Sequence, residues 1–407
     1  MAAERPSPPV VVVGIGADGW AGLSAVARHA VDEAEVVLGS PRQLELIGPR
    51  PGKARLWPSP MLPALPGLFE QLAGRRVCAL ASGDPMFYGL GSTLCRVLGP
   101  QRLEVIPHPS SVSLACAHLG WPVQDTYVRS AVARPLHRLL ASVAPGRRLL
   151  VLTSDAEGPS AVAGLLAERG YRASELTVLE QLGGPAERVV TGRAGEWAHP
   201  PGDPLAIVAV HCVLDQDTVA LPFVPGLPDD AYDHDGQLTK REIRAVTLAR
   251  LAPLPGQLLW DVGAGAGSIA IEWLRAEESC RAVAVERDLE RAARISRNAA
   301  ALGVPGLRVV TGEAPEALEG LDPPATIFVG GGVTVDGVLP ACWSALGPGG
   351  RLVANAVTME AESLLASWYG RHGGSLTRIE LRRAAPVGGF TGWRAALPVT
   401  QWVLDKP

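Results

Sequence analysis

Residues 261–268 read DVGAGAGS, between the apolar run LLW and the apolar segment IAIEWL. A strand, a glycine loop and a helix together form a nucleotide cradle, in which backbone N–H groups and a helix N-terminus face the ligand. A dinucleotide fingerprint spaces its glycines G-x-G-x-x-G. Here Gly263, Gly265 and Gly267 alternate, and Ser268 takes the third fingerprint position. Asp261 ends the strand. A carboxylate there repels a pyrophosphate and attracts an ammonium group, which points to S-adenosylmethionine. Glu286 closes the next strand, AVAVE, where a carboxylate accepts both hydroxyls of a ribose, and NAD would use it equally. The loop TGEAPE (311–316) then offers Glu313 and the Ala314 backbone to an adenine edge. Single loop acids are mostly solvated. Three in successive strand-to-helix loops, in this order, favour a ligand.

The N-terminal half carries a second glycine loop, VVVVGIGADG, with Gly14, Gly16 and Gly19 in G-x-G-x-x-G spacing. The following strand ends in Leu38, Gly39 and Ser40, where a dinucleotide calls for an acid. In ALASGDPMFYGLGS (79–92) a strand runs into Ser82, Gly83, Asp84 and Pro85, then two aromatics, Gly89, Gly91 and Ser92. Glycine lets a backbone approach a ligand and Pro85 fixes the turn, so a ligand loop and a plain structural turn both fit.

Strand-like runs at 10–13, 36–38, 77–81, 103–106, 149–153, 176–180 and 205–210 alternate with helical stretches, which implies an α/β architecture. The pattern lapses after Val210 into a stretch with Pro222, Pro225 and Pro228 and a cluster of acids. We place one domain at 1–215, a linker at 216–228 and a second domain at 229–407. Thr239 and Glu242 have capping-box spacing and start a helix. Beyond it, strands at 258–261, 282–286, 307–311, 326–330 and 351–356 make one doubly wound sheet, and residues 375–383 and 394–404 form a late antiparallel pair at its edge.

The chain has 407 residues, 47% hydrophobic and 19% charged, with net charge −4. No basic field gathers nucleic acid. Six scattered cysteines without a C-x-x-C pair fit a reduced cytoplasm, and no apolar stretch is long enough to span a bilayer or serve as a signal h-region. The eight histidines show no metal-ligand spacing, so we expect no protein-bound metal.

VVVGIGADGWAGLS, ASGDPMFYGLG, PHPSSVSLACAHLGW, LTSD and EQLGGPAERVVTG resemble, in order, the motifs of the tetrapyrrole (corrin/porphyrin) methylases. From GLPDDAYDHDGQLTKREIR through DVGAGAGS, AVE, GEAPE, FVGGG and NAV the second half is similar to class I methyltransferases that decarboxylate and methylate a precorrin. The resemblance implies a two-lobed tetrapyrrole methylase fold followed by a class I, Rossmann-like S-adenosylmethionine-dependent methyltransferase. It implies methylation of C5 by the first half, and methylation of C15 with loss of the C12 acetate carboxyl by the second. The substrate would be precorrin-6B or its cobalt form and the product precorrin-8, in cobalamin biosynthesis. One cofactor molecule is expected per domain. In the first it lies among Gly14, Gly16, Gly83, Asp84, Pro85, Gly89, Ser110 and Ser111. In the second it lies over Gly263, Gly265 and Gly267, with Gln237 and Thr239 near its methionine end. A homo-oligomer is also expected.

Methyl transfer needs placement more than a nucleophile, whereas decarboxylation gains from a positioned acid, worth about two to four orders of magnitude. The candidates are Asp84, His234 and Asp235, each with a structural role as its alternative. A substrate with many carboxylates calls for arginines, from Arg241, Arg244, Arg382, Arg383 and Arg394, of which one or two are expected to touch it. Gly330, Gly331 and Gly332 leave room for a flat macrocycle, or form only a turn, and Asn355 ends the fifth strand. Rival readings are a nicotinamide-dependent oxidoreductase acting on a tetrapyrrole, a nucleic-acid methyltransferase and a non-enzymatic scaffold.

Overall fold

The structure, a computed structural model, describes residues 8–407; the first seven residues, with which the first expected domain begins, lie outside it. The chain divides into two compact units, Met1–Leu136 with Val143–Thr218, and His137–Ser142 with Val219–Pro407.

The first unit holds two sheets. Strands β1 (Val10–Ile15), β2 (Val36–Gly39), β3 (Ala54–Leu56), β4 (Val77–Ser82) and β5 (Leu103–Ile106) make a parallel sheet in the order β3-β2-β4-β1-β5. β1 and β4 read as unbroken apolar runs because both faces are covered. Val10 and Val12 pack with Leu65 and Leu68 on one side, Val13 and Ile15 with Ala27 and Val31 on the other. The second sheet contains β6 (Thr126–Ser130), β7 (Arg148–Leu152), β8 (Glu175–Glu180), β9 (Arg188–Arg193) and β10 (Ala206–His211), in the order β6-β7-β10-β8-β9. Only β6 and β7 run parallel there.

In the second unit β11 (Leu258–Val262), β12 (Arg281–Glu286), β13 (Arg308–Thr311), β14 (Thr326–Val329) and β15 (Arg351–Ala356) are parallel. β16 (Ser375–Ile379) and β19 (Val399–Asp405) complete the order β13-β12-β11-β14-β15-β19-β16, β19 running antiparallel to both neighbours. Residues alternate between two cores: Trp260, Val283 and Ile327 on one face, Leu259, Ala284 and Phe328 on the other.

Two expectations change. The late pair is antiparallel, but only through Ser375–Ile379 against Val399–Val403; between them β17 (Arg382–Val387) and β18 (Phe390–Ala395) form a separate two-stranded hairpin. The helix Arg241–Leu251 has Lys240, not Thr239, at its N-cap and no side-chain cap. The Thr239 carbonyl instead accepts from the Arg244 guanidinium at 2.5 Å, which sets Thr239 one residue before the cap position.

Candidate active site

In the second unit the strand order reverses between β11 and β14, and open α/β sheets bind ligands beyond the carboxyl ends of the strands at that point. A cavity of about 790 Å3 opens there, its wall drawn from the carboxyl ends of five strands and the loops beyond them through Gly263, Glu286, Glu313, Gly331 and Asn355.

The glycine loop is fixed by backbone crowding as well as conformation. Gly263, Gly265 and Gly267 sit at φ +69°, +59° and +77°, a region costly for residues with a Cβ. A Cβ on Gly263 would fall 2.6 Å from the Gly331 carbonyl oxygen, and one on Gly265 2.9 Å from that of Gln237. The loop therefore touches both the loop after β14 and the segment before the second unit's first helix through backbone alone.

Asp261 is 1% exposed. Its Oδ2 accepts from the Ala270 N–H at 3.0 Å, while Oδ1, also buried, has no partner. Burial, with a smaller contribution from Glu286, pushes its pKa up to about 7. A buried carboxylate with a free oxygen on a cavity wall lacks a donor or cation, which the ammonium of S-adenosylmethionine supplies. Glu286 Oε2 accepts from Gly265 N–H at 2.8 Å and Oε1 from Asp288 N–H at 3.1 Å, which aims the carboxylate and leaves lone pairs for two hydroxyls. Gln237, Thr239, Glu313 and Ala314 also line the cavity, as expected. The residues fit the cofactor that the spacing implies.

Gln237 and Thr239 are held by a clasp that the sequence reading missed. Glu272, 2% exposed, accepts from Gly226 N–H (2.6 Å), Leu227 N–H (3.0 Å), the Tyr232 hydroxyl (2.8 Å) and Arg244 Nε (2.5 Å). Arg244 also donates to the carbonyls of Leu227 and Thr239 and to Asp229. Asn298 pins the same loop by accepting from Asp233 N–H and donating to the Asp233 and Ala266 carbonyls. A Glu in an amphipathic helix and an Arg in another carry no pairing signal along the chain; only folding brings them together.

Several candidates are corrected. Arg244 is fully buried and saturated by this clasp, so it cannot meet a substrate. Asp235 and His234 are not among the cavity-lining residues. Asp235 binds Arg291 at 2.8 Å, Arg294 at 3.3 Å and the Gln237 N–H at 3.1 Å, and the Arg291 hydrogen bond holds its carboxyl far below the usual range, so it is no proton donor. His234 Nδ1 accepts from Gly236 N–H at 3.0 Å and shapes the turn. Arg241 and Arg394 lie outside the lining, whereas Arg383, beside Glu242, and Arg291 belong to it. Gly330, Gly331 and Gly332 do line the cavity, but Gly330 and Gly331 also donate to the Val262 carbonyl, so they brace the glycine loop. Asn355 lines it too, its amide fixed by Thr247 and Gln401.

In the first unit, the loops after β1, β4 and β5 meet. A Cβ on Gly14 would fall 2.3 Å from the Gly83 carbonyl oxygen and 2.8 Å from the His108 nitrogen, and one on Gly83 3.3 Å from Ser110 Cα. Gly16 abuts Asp18 and His108, and Gly89 abuts the carbonyls of Asp84 and Pro85. Asp84 Oδ1 accepts from Met86 N–H at 2.8 Å, and the Ser110 hydroxyl accepts from Ser113 N–H as the cap of Ser111–Leu119. Asp84 and Ser110 thus shape their loops, and β2 ends at Gly39 and the capping Ser40, with no acid for a dinucleotide ribose. Among the described residues no group of three or more His, Cys, Asp or Glu could hold a metal ion, and no helix is long and apolar enough to cross a membrane.

Residues 9–198 match the family model of the tetrapyrrole (corrin/porphyrin) methylases, and residues 230–406 that of the precorrin methyltransferase domain. A precorrin-6Y C(5,15)-methyltransferase [decarboxylating] of Sinorhizobium sp is 48% identical over 98% of this chain and 97% of its own length. One of Mycobacterium tuberculosis is 49% identical over 98% of this chain and 100% of its own length. A crystal structure of the C-terminal domain of precorrin-6Y C5,15-methyltransferase from Rhodobacter capsulatus is 44% identical and aligns at a TM-score of 0.44, covering 46% of this chain and 100% of that one. These findings give the nicotinamide oxidoreductase reading no support. The chain belongs to the decarboxylating precorrin-6Y C5,15-methyltransferase family.

Proposed function

We propose that the chain methylates C5 and C15 of precorrin-6B, or its cobalt form, and removes the C12 acetate carboxyl as carbon dioxide to give precorrin-8. Residues 1–215 serve C5, residues 229–407 serve C15 and the decarboxylation, and 216–228 link them. The observation that carries this reading is that two different methyltransferase family models fall on separate halves, each with its own glycine cradle at the carboxyl edge of a parallel sheet.

The cofactor is S-adenosylmethionine, one per unit, which supplies a sulfonium-bound methyl group already activated toward a carbon nucleophile. In the second unit Asp261, Glu286 and the backbone of 263–267 would hold it, with Gln237 and Thr239 closing over it. In the first, the backbones of Gly14, Gly16, Gly83 to Pro85, Gly89 and Ser110 to Ser111 would do so. What the chain adds is placement in a dry site: Ile243, Phe328 and Val338 wall the cavity with apolar surface, while Asn355 and Arg383 offer donors to polar substituents. The setting is the cytoplasm and the assembly a homo-oligomer.

Titrating S-adenosylhomocysteine calorimetrically into the whole chain tests this. Two sites are expected, of which Gly14→Ala removes one and Gly265→Ala the other. With precorrin-6B, mass spectrometry then reads two methyl gains and one carbon dioxide loss. A chain that binds NADH and no S-adenosylhomocysteine overturns the proposal.

A further inference from the structure

The hairpin of β17 and β18 stands apart from the seven-stranded sheet, and a lone two-stranded hairpin is marginally stable in water. Its register sets Arg383 directly opposite Arg394, Ala385 opposite Gly392 and Val387 opposite Phe390. Side chains alternate across a strand, so these six share one face: two arginines at the base, a small-residue floor, and an apolar tip. Like charges directly opposite, with Cβ atoms about 5 Å apart, destabilise a strand pair. Arg383 has Glu242 beside it, while Arg394 makes no ion pair among the described residues. At the tip Val387 is 63% and Phe390 84% exposed. The hairpin base is also the rim of the cavity, because Leu381, Arg383, Ala396 and Leu397 line it.

One unpaired cation, Arg394, opposite an Arg383 already paired with Glu242, together with a small-residue floor and exposed apolar side chains continuous with the cavity, matches one kind of ligand: a planar macrocycle with carboxylates on its edge. We propose that this face is the outer subsite for the substrate of the second unit, an inference that rests on the function proposed above. Arg383 and Arg394 grip peripheral carboxylates, Ala385 and Gly392 let the ring lie close, and Phe390 with Val387 covers its apolar edge. Glu242 already balances Arg383, so the charge left for the substrate to neutralise is that of Arg394.

Arg394→Glu separates this role from a structural one. It sets an acid opposite Arg383, so the strand pair gains attraction and the melting temperature of the whole chain should not fall. A carboxylate-bearing substrate meets repulsion instead. With precorrin-6B and carbon dioxide release as the readout specific to this unit, KM should rise about tenfold or more, as expected when a hydrogen bond to a charged group is lost, with kcat within about twofold. Phe390→Ala should raise KM as well, and both variants should keep two S-adenosylhomocysteine sites. Unchanged KM in Arg394→Glu overturns the subsite. So does a Phe390→Ala chain that sediments as a smaller assembly with KM unchanged, since the face is then an interface between copies. If the unaltered chain releases no carbon dioxide from precorrin-6B, the parent reading fails instead.

Discussion

Asp261 should make the protein less stable where it makes the cofactor site work. Its carboxyl is fully enclosed, one oxygen lacks a partner, and its pKa is raised from 3.8 to about 7. A carboxyl whose folded pKa exceeds its unfolded value binds its proton more tightly in the folded state. Its contribution to stability is therefore most favourable at and below about pH 4, is lost as pH rises to about 7, and is flat above. A shift of roughly three units, at about 1.36 kcal/mol each, corresponds to a cost of about 4 kcal/mol at pH 8. Asp261→Asn keeps the shape and an oxygen for the Ala270 N–H but carries no charge. The variant should match the parent near pH 4 to 5 and melt higher at pH 8, by on the order of 10 °C for a unit of this size. Cofactor binding should change in the opposite direction. If the ammonium pairs with the ionised form, S-adenosylhomocysteine affinity at the second site rises about tenfold between pH 6 and pH 8 in the parent, and the variant loses both the affinity and its pH dependence. Scanning calorimetry and ligand titration across that range measure both. A variant that melts lower than the parent at pH 8, or that binds S-adenosylhomocysteine as tightly, refutes the argument.

Arg244→Met should cost roughly 3–5 kcal/mol in urea denaturation by stranding the buried Glu272 charge, and weaken the second cofactor site through the freed 226–239 loop; adding Glu272→Met should restore neither, because Gly226 N–H, Leu227 N–H and the Tyr232 hydroxyl then lose their buried acceptor. Asp235→Asn should leave the pH profile of C15 methylation unshifted, because that carboxylate stays ionised beside Arg291, yet raise the cofactor KM, as about 0.5 M salt should in the parent by screening an exposed pair. Gly14→Ala should abolish C5 methylation while carbon dioxide release persists, because its Cβ meets backbone atoms of Gly83 and His108 that have no other place to go; a chain that keeps both activities contradicts the cradle.

The parallel strands were legible because a strand covered on both faces is written as an apolar run, as in VVVVGI and LLWDV. The acids at 261 and 286 were legible because they stand at the carboxyl ends of such runs, and Glu313 because it lies two residues past the end of the next strand. Short or half-exposed strands were not: Ala54–Leu56 is exposed throughout, and Arg188–Arg193 alternates without a buried face. The hairpin did leave a mark: Gly388-Gly389 between Val387 and Phe390, a two-residue turn signal whose strands, RRAAPV and FTGWRA, lack the apolar alternation of a packed strand pair. The arginines were the hardest to place. A buried Arg244 and an exposed Arg394 look alike in sequence, and their fates are set by Glu272 and by the strand register, both fixed only by tertiary folding.

The contact between Gly263 and Gly331 limits how this enzyme can diversify. At Gly263 the cradle is main chain against main chain: its positive φ and the 2.6 Å from a Cβ to the Gly331 carbonyl oxygen leave no room for a side chain, so substitution of Gly263 breaks the contact. A lineage, or an engineer, seeking to accept a differently decorated ring must leave Gly263 alone and vary the rim formed by residues 381–397, most of which are exposed.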